Sequence, residues 1–259
     1  MYTFVTNPNG KAKSGTLVAI IKGTKASDIK EVLDKIPLVR RKSVKAVASD
    51  MAPNMQAALR ESFPEAIIVI DKFHVIRLIL EALQTERIKY RWRVIENENK
   101  RLKLCKEENY SYKLHQYSNG DTERQLLARS TYILYKSPDK WTESQELRAS
   151  ILFKNYPRLR LLYGHAQAFR NIYKIEDLEI ARQKFIEWIN KSYNLRENTF
   201  NTAAGSVETH FNNILNYYKT RMTNAFAESF NAKIKRFRFN LKGVSDQVFF
   251  QYRLTNLFA

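Results

Sequence analysis

Three carboxylates stand where chemistry could be done. Asp50 ends the short apolar run Val44 to Ala48 after Ser49, and Asp71 ends the continuous apolar run Ala66 to Ile70, with His74 three residues on. Open α/β sheets collect functional groups at the carboxyl ends of buried strands. An isolated Asp there is more often a turn or cap residue, and a lone His more often a structural hydrogen-bonding group. Glu228 is the single acid among seven Lys and Arg between Lys219 and Lys242. On one helix, Asn224, Glu228, Asn231 and Lys235 share a face, while Phe226, Phe230, Ile234 and Phe237 form the opposing apolar stripe. A carboxylate between two amides and an ammonium suits a divalent ion held against a phosphate, because Mg²⁺ takes carboxylate oxygen and the amides and Lys steady the anion. The plain alternative is a solvated face with an ordinary salt bridge.

The elements that must carry these residues alternate over the first eighty positions. Tyr2 to Thr6 is aromatic and β-branched, Asn7 to Gly10 is a turn cluster, and Gly15 to Ile21 is a second strand, which together predict a hairpin. Ser27 is positioned to cap a helix over Asp28 to Ile36, with Ile29, Val32, Leu33 and Ile36 on one face. Val44 to Ala48 is a strand, Met55 to Phe63 a helix stopped by Pro64, and Ala66 to Ile70 a strand buried on both faces, as in a helix-covered parallel sheet. From His74 to about residue 200 the pattern is helical, punctuated by Gly120, Pro138, Pro157 and Gly164, with Trp141, Tyr156 and Tyr163 expected mostly in the core. Thr209 to Ala259 is helical again.

At 259 residues and 44% hydrophobic, the chain can bury one large core or two modest ones. A formal charge of +18, from 44 Lys and Arg against 26 Asp and Glu, points to a polyanionic partner. Double-stranded DNA fits better than a membrane surface, since the bases are scattered through an aromatic-rich chain instead of gathered in one anchor. Lys233, Lys235, Arg236 and Arg238 are the candidate DNA-binding residues. One cysteine, Cys105, excludes an internal disulfide framework and a Cys-rich zinc site, which fits a reducing cytoplasm. Neither a signal peptide nor a membrane-spanning run is evident.

The runs VKAVASDMAPNMQAALRESFPEAIIVIDKFHVIRLI and TNAFAESFNAKIKRFRFNLKGVSDQVFFQYRL resemble the two signature blocks of the IS-L-three type of insertion-sequence transposase. The resemblance extends over almost the whole chain, and the ordered set SDM, FPEAIIVIDKFHV and NAFAESFN is its specific part. It implies a ribonuclease-H-like mixed sheet with helices, interrupted by a long all-helical insertion. Residues 1–80 would begin the core, 81–205 form the insertion, and 206–259 complete the core. It also implies an Asp-Asp-Glu site holding two Mg²⁺ or Mn²⁺ ions that cuts and joins phosphodiester bonds at insertion-sequence ends. Carried over by motif, Asp50 and Glu228 are the second and third metal ligands, with Asp71, His74, Asn224 and Asn231 in support.

The family's first Asp is expected on a strand just upstream of the one matching YTFVT, where this chain has only Met1, so the first core strand and its carboxylate are expected to be missing. Asp28 is the first acid in the chain and falls on the predicted first helix. Alternatives are a non-catalytic DNA-binding protein derived from a transposase and a ribonuclease-H-like nuclease of another kind. A homodimer acting in the bacterial cytoplasm at the nucleoid is the family expectation.

Overall fold

A computed structural model describes residues 2–111, 113–242 and 246–259, so Gly243, Val244 and Ser245 of the second signature block lie outside the described residues. The chain divides into two compact units, one made of residues 1–74 with 210–259 and the other of residues 75–209.

The first unit opens with the expected hairpin, β1 (Tyr2–Thr6) antiparallel to β2 (Leu17–Lys22). The Asn7 side chain accepts the Asn9 N–H at 3.1 Å and starts the turn. Helix α1 runs over Ala26–Leu33. Ser27 does not cap it: Lys25, in extended conformation, is the cap residue, and Ser27 lies in the first turn with its hydroxyl on Asp28 at 3.2 Å. Ala26 is a strong helix former and Asp28 complements the positive end of the helix, so the helix starts earlier than the Ser27 signal suggests. It also stops before Ile36, as Pro37 disfavours helical backbone in the residue before it. Pro37 then leads into α2 (Leu38–Lys42), a five-residue helix too short to show periodicity in the sequence.

Strand β3 (Ala46–Ser49), helix α3 (Pro53–Ser62) and strand β4 (Ile67–Ile70) follow. Helix α3 begins before Met55 because Pro53 sits at its first position, where the missing N–H costs nothing. Strands β3 and β4 are parallel, with Ser49 opposite Ile70, and the Asp71 N–H donates to the Ser49 carbonyl at 3.0 Å. Asp50 and Asp71 therefore leave the sheet at one rim. Among the described residues the four strands form two two-stranded sheets. The fold is thus mixed α/β, mostly helical, with little sheet.

Helix α4 (Lys72–Glu107) starts directly after Asp71 and carries the chain into the second unit. There it is followed by α5 (Glu123–Arg129), α6 (Thr131–Tyr135), α7 (Glu143–Asn155), α8 (Pro157–Ile172), α9 (Leu178–Asn194) and α10 (Asn198–Thr209). Thr122 with Gln125, and Thr142 with Gln145, build capping boxes at α5 and α7. Pro157 opens α8 as expected, but Gly164 does not interrupt it: a glycine costs only about 1 kcal/mol inside a helix that packs well. Tyr156 and Tyr163 are buried, and Trp141 stacks on Tyr163 while its indole N–H donates to the Ile133 carbonyl at 3.0 Å. Tyr156 and Tyr163 are core, as expected, while Trp141 is half-buried against Tyr163 and Phe153.

The chain returns to the first unit with α11 (Phe211–Thr220), α12 (Ala225–Asn240) and α13 (Gln247–Phe258). The apolar stripe of α12 is the face that packs. Phe230 and Ile234 are buried with Leu17, Phe250, Leu254 and Phe258, and Phe226 and Phe237 pack against them. A second cluster, Ile21, Ile29, Leu33, Leu59, Phe63 and Ile68, joins α1 and α3 to the strands.

Candidate metal centre

Asp71 is fully buried at the end of β4. Its Oδ1 accepts the backbone N–H of Asn224 at 3.1 Å, and its Oδ2 lies 3.1 Å from Nδ1 of His74, which stands in the first turn of α4. Asn224 contributes this backbone donor from the cap position of α12, a role the shared-face reading did not anticipate. Glu228, in the first turn of α12, is exposed, and one ligand atom each from Asp71, His74 and Glu228 lie within 4.8 Å of one another. The arrangement follows from local structure. A strand end and two helix starts converge, and helix starts offer N–H groups and positive potential that favour carboxylates.

Asp50 is placed differently. Its Oδ1 accepts the Ala52 N–H at 3.0 Å, closing the turn into α3, and its carbonyl accepts from the Gln56 amide at 2.9 Å. It shares the rim with Asp71 but is not one of the three gathered donors. Asn231 follows Glu228 by one helical turn, and its Oδ1 is buried with no hydrogen-bond partner.

A basic group adjoins Asp71 that the motif reading passed over. The Lys72 ammonium donates to the Tyr217 hydroxyl at 3.1 Å and sits 4.9 Å from that ring's centre, and the Arg221 guanidinium lies over the Tyr217 and Tyr218 rings at 5.5 and 5.2 Å. Burial pushes the Tyr217 phenol up, but Lys72 and Arg221 outweigh it and its pKa is lowered. The only hint in the sequence is Lys72 inside the Asp71 to His74 run; the pairing with Tyr217 joins residues 145 apart. Of the four candidate DNA-binding cations, Lys233 donates to the Ala12 carbonyl at 2.9 Å and Arg238 lies over Phe250, so both also serve packing. Lys235 and Arg236 are exposed. No helix among the described residues is long and apolar enough to cross a membrane.

A strand-end carboxylate, a histidine and a helix-borne glutamate converging beside lysine and arginine form a donor set suited to a divalent cation and a phosphate. Comparison with known proteins places the chain in a family. A sequence-family profile described as a transposase, of the DDE type named for IS-L-three, matches residues 2–254, and the chain belongs to this transposase family. It is 25% identical over 227 residues to the transposase for insertion sequence element IS1557 of Mycobacterium tuberculosis, covering 86% of this chain and 49% of that protein. It is 21% identical over 256 residues to the transposase for insertion sequence element IS1001 of Bordetella parapertussis, covering 99% of this chain and 57% of that one. The chain therefore spans about half the length of the curated relatives it matches. No solved structure matches it.

Proposed function

We propose that the first unit carries the divalent-metal centre of a DNA transposase that cuts and joins phosphodiester bonds at insertion-sequence ends. The carrying observation is the convergence of Asp71, His74 and Glu228 within 4.8 Å. In this reading the unit is the ribonuclease-H-like core and residues 75–209 are the insertion within it. Asp50, at the neighbouring strand end, joins the donor set once its carboxylate gives up the Ala52 N–H. The donors fit Mg²⁺ or Mn²⁺: hard carboxylate oxygens suit both and the imidazole favours Mn²⁺. The unpartnered Asn231 oxygen one turn from Glu228 adds an acceptor without an internal use.

When bound, a pair of divalent ions supplies charge stabilisation at the attacking and leaving oxygens of an in-line displacement. The chain's own residues do the rest. The Asn224 N–H and His74 orient Asp71, so that it meets a cation without first reorganising. Glu228, exposed on the first turn of α12, swings toward the rim at little cost. Lys72 and Arg221 draw the DNA phosphate to the same rim, and Lys235 and Arg236 hold the backbone alongside.

The test is calorimetric titration of the chain with Mn²⁺, followed by nicking of DNA that bears the cognate ends. Saturable Mn²⁺ binding lost in Glu228→Gln and Asp71→Asn is expected. Binding untouched by both substitutions removes the assignment. The engagement of Asp50 in a turn favours a second reading, a transposase-derived protein that binds DNA without cutting it. That reading stands if DNA is held, with affinity falling steeply as salt rises, and no nick appears at any Mn²⁺ concentration.

A further inference from the structure

Two cations converge on one buried oxygen beside the Asp71 rim. Tyr217 is 7% exposed, and its phenol oxygen accepts from the Lys72 ammonium at 3.1 Å and from the Arg221 guanidinium. Both cations also lie against aromatic rings. Lys72 is 5.5 Å from the Phe73 ring centre and 4.9 Å from that of Tyr217, and Arg221 lies over Tyr217 and Tyr218, which meet edge to face at 5.4 Å. Like charges drawn to one point repel, and a neutral phenol offsets that less than a carboxylate does. Among the described residues no Asp or Glu forms an ion pair with Lys72.

The backbone at Arg221 is an independent sign. Arg221 closes α11 at φ 54°, in the left-handed region, and its N–H donates to the Tyr217 carbonyl at 2.6 Å. Such a cap position favours glycine, because a Cβ is crowded there. An arginine in its place bears strain that glycine would avoid, and residues so strained cluster at functional sites. The residues that follow are pinned as well: the Met222 N–H donates to the Thr220 hydroxyl at 3.1 Å and the Asn224 N–H to Asp71 at 3.1 Å. Lys72 follows Asp71 directly. The two cations therefore stand on the two segments that hold the Asp71 carboxylate, and their placement beside it is set before any ligand arrives.

We infer that Tyr217 is a positioning residue, holding Lys72 and Arg221 as a two-point clamp for one DNA phosphate. In the free protein its phenol oxygen occupies the place of a phosphate oxygen. A phosphodiester brings a full negative charge and two unesterified oxygens, one for the ammonium and one for the guanidinium, so it displaces the phenol from both cations. The rings hold the cations in place during the exchange. Arg221 is exposed and Lys72 half-buried, so the clamp is open to solvent on its arginine side. The inference rests on the reading that this rim receives DNA, and adds to it a residue that acts through the two cations.

Fluorescence anisotropy of the 259-residue chain with a labelled duplex oligonucleotide, across a salt series, tests this. Any sequence serves, because phosphate contacts do not depend on it. Lys72→Met and Arg221→Gly are each expected to weaken binding roughly tenfold and to cut the slope of log affinity against log salt by about one. Tyr217→Phe keeps the ring and both charges, yet is expected to cut the slope by about one as well, and to add nothing further on top of Lys72→Met with Arg221→Gly. Arg221→Gly relieves the left-handed strain and is expected to weaken DNA binding without lowering Tm. Mn²⁺ binding is expected to be unchanged in Tyr217→Phe. If Lys72→Met and Arg221→Gly lower the slope and Tyr217→Phe does not, the positioning role falls while the DNA reading of the rim stands. If none of the three moves the slope, the rim receives no phosphate and both fall. A Tyr217→Phe loss that persists undiminished in the doubly substituted background, or an Arg221→Gly chain that loses Tm with its slope unmoved, assigns these residues to packing and overturns the inference.

Discussion

Asp71 in the first unit and Asp121 in the second are both fully buried carboxylates, yet they are surrounded in opposite ways. Asp121 pairs with Arg129 on one oxygen and with Arg148 at 2.7 Å on the other, and also accepts from the Asn119 amide at 2.9 Å. Burial pushes its carboxyl up, but the two guanidinium groups outweigh burial and hold it low. Asp71 has a backbone N–H and a histidine, and no Lys or Arg pairs with it among the described residues; its other near neighbour is Glu228. One carboxylate is internally neutralised and ties the loop before α5 to α5 and α7. The other is oriented but left electrostatically open, the state of a group that waits for a cation from outside. The second unit follows the closed pattern elsewhere: Glu86 takes Lys89 at 2.7 Å and the Thr199 hydroxyl, and His165 bonds the Ser192 hydroxyl at 2.7 Å while stacked on Trp188.

If that contrast is sound, the same substitution has different consequences in the two units. Asp121→Asn strands two guanidiniums and is expected to cost the second unit about 3 kcal/mol in urea unfolding. Asp71→Asn, which relieves a carboxylate facing Glu228, is expected to stay within about 1 kcal/mol. Equal losses at the two positions break the comparison.

Mn²⁺ separates the units next. At a hundredfold excess over its dissociation constant, it is expected to stabilise the first unit by about 2.7 kcal/mol. The protection should appear in hydrogen exchange around Asp71 to His74 and Asn224 to Glu228, and vanish in Glu228→Gln. Protection confined to the second unit contradicts the open character of the Asp71 cluster.

Acid sharpens the view of the closed unit. Burial lowers the His165 pKa from 6.5 to about 4, with Lys191 adding to the effect. Between those values the unfolded chain binds a proton that the folded one refuses, so the contribution is present above pH 6.5 and is lost as pH falls toward 4. After solvent screening the loss is about 2 kcal/mol, read as a falling Tm, and His165→Phe, which keeps the stack on Trp188, is expected to flatten it. The smallest effect is at a helix start: Thr122→Ala removes the capping box of α5 and is expected to cost about 1 kcal/mol of thermal stability.

Much of the local fold was legible in the residues. The alternation in Tyr2 to Thr6 and the Asn7 to Gly10 turn specify a hairpin, the apolar run ending at Ile70 specifies a strand of a parallel pair, and the Phe226, Phe230, Ile234, Phe237 spacing specifies the packed face of α12. The residues leave local competition between weak signals open, Ser27 against Ala26 for the start of α1 and Gly164 against the packing of α8, and α2 is too short to show a period at all.

The sequence by itself determined the secondary elements, the basic charge, the family blocks and the residue types available to a metal, because these depend on nearest neighbours and composition. Which donors meet was decided only by tertiary structure. Asp71 and the Asn224 N–H are 153 residues apart and are joined by the chain's return through α11 and α12, while Asp50, on the adjacent strand of the same rim, turns its carboxylate to Ala52. No periodicity encodes such a meeting, since it rests on how strand ends and helix starts pack, and that is settled by burial of the whole core.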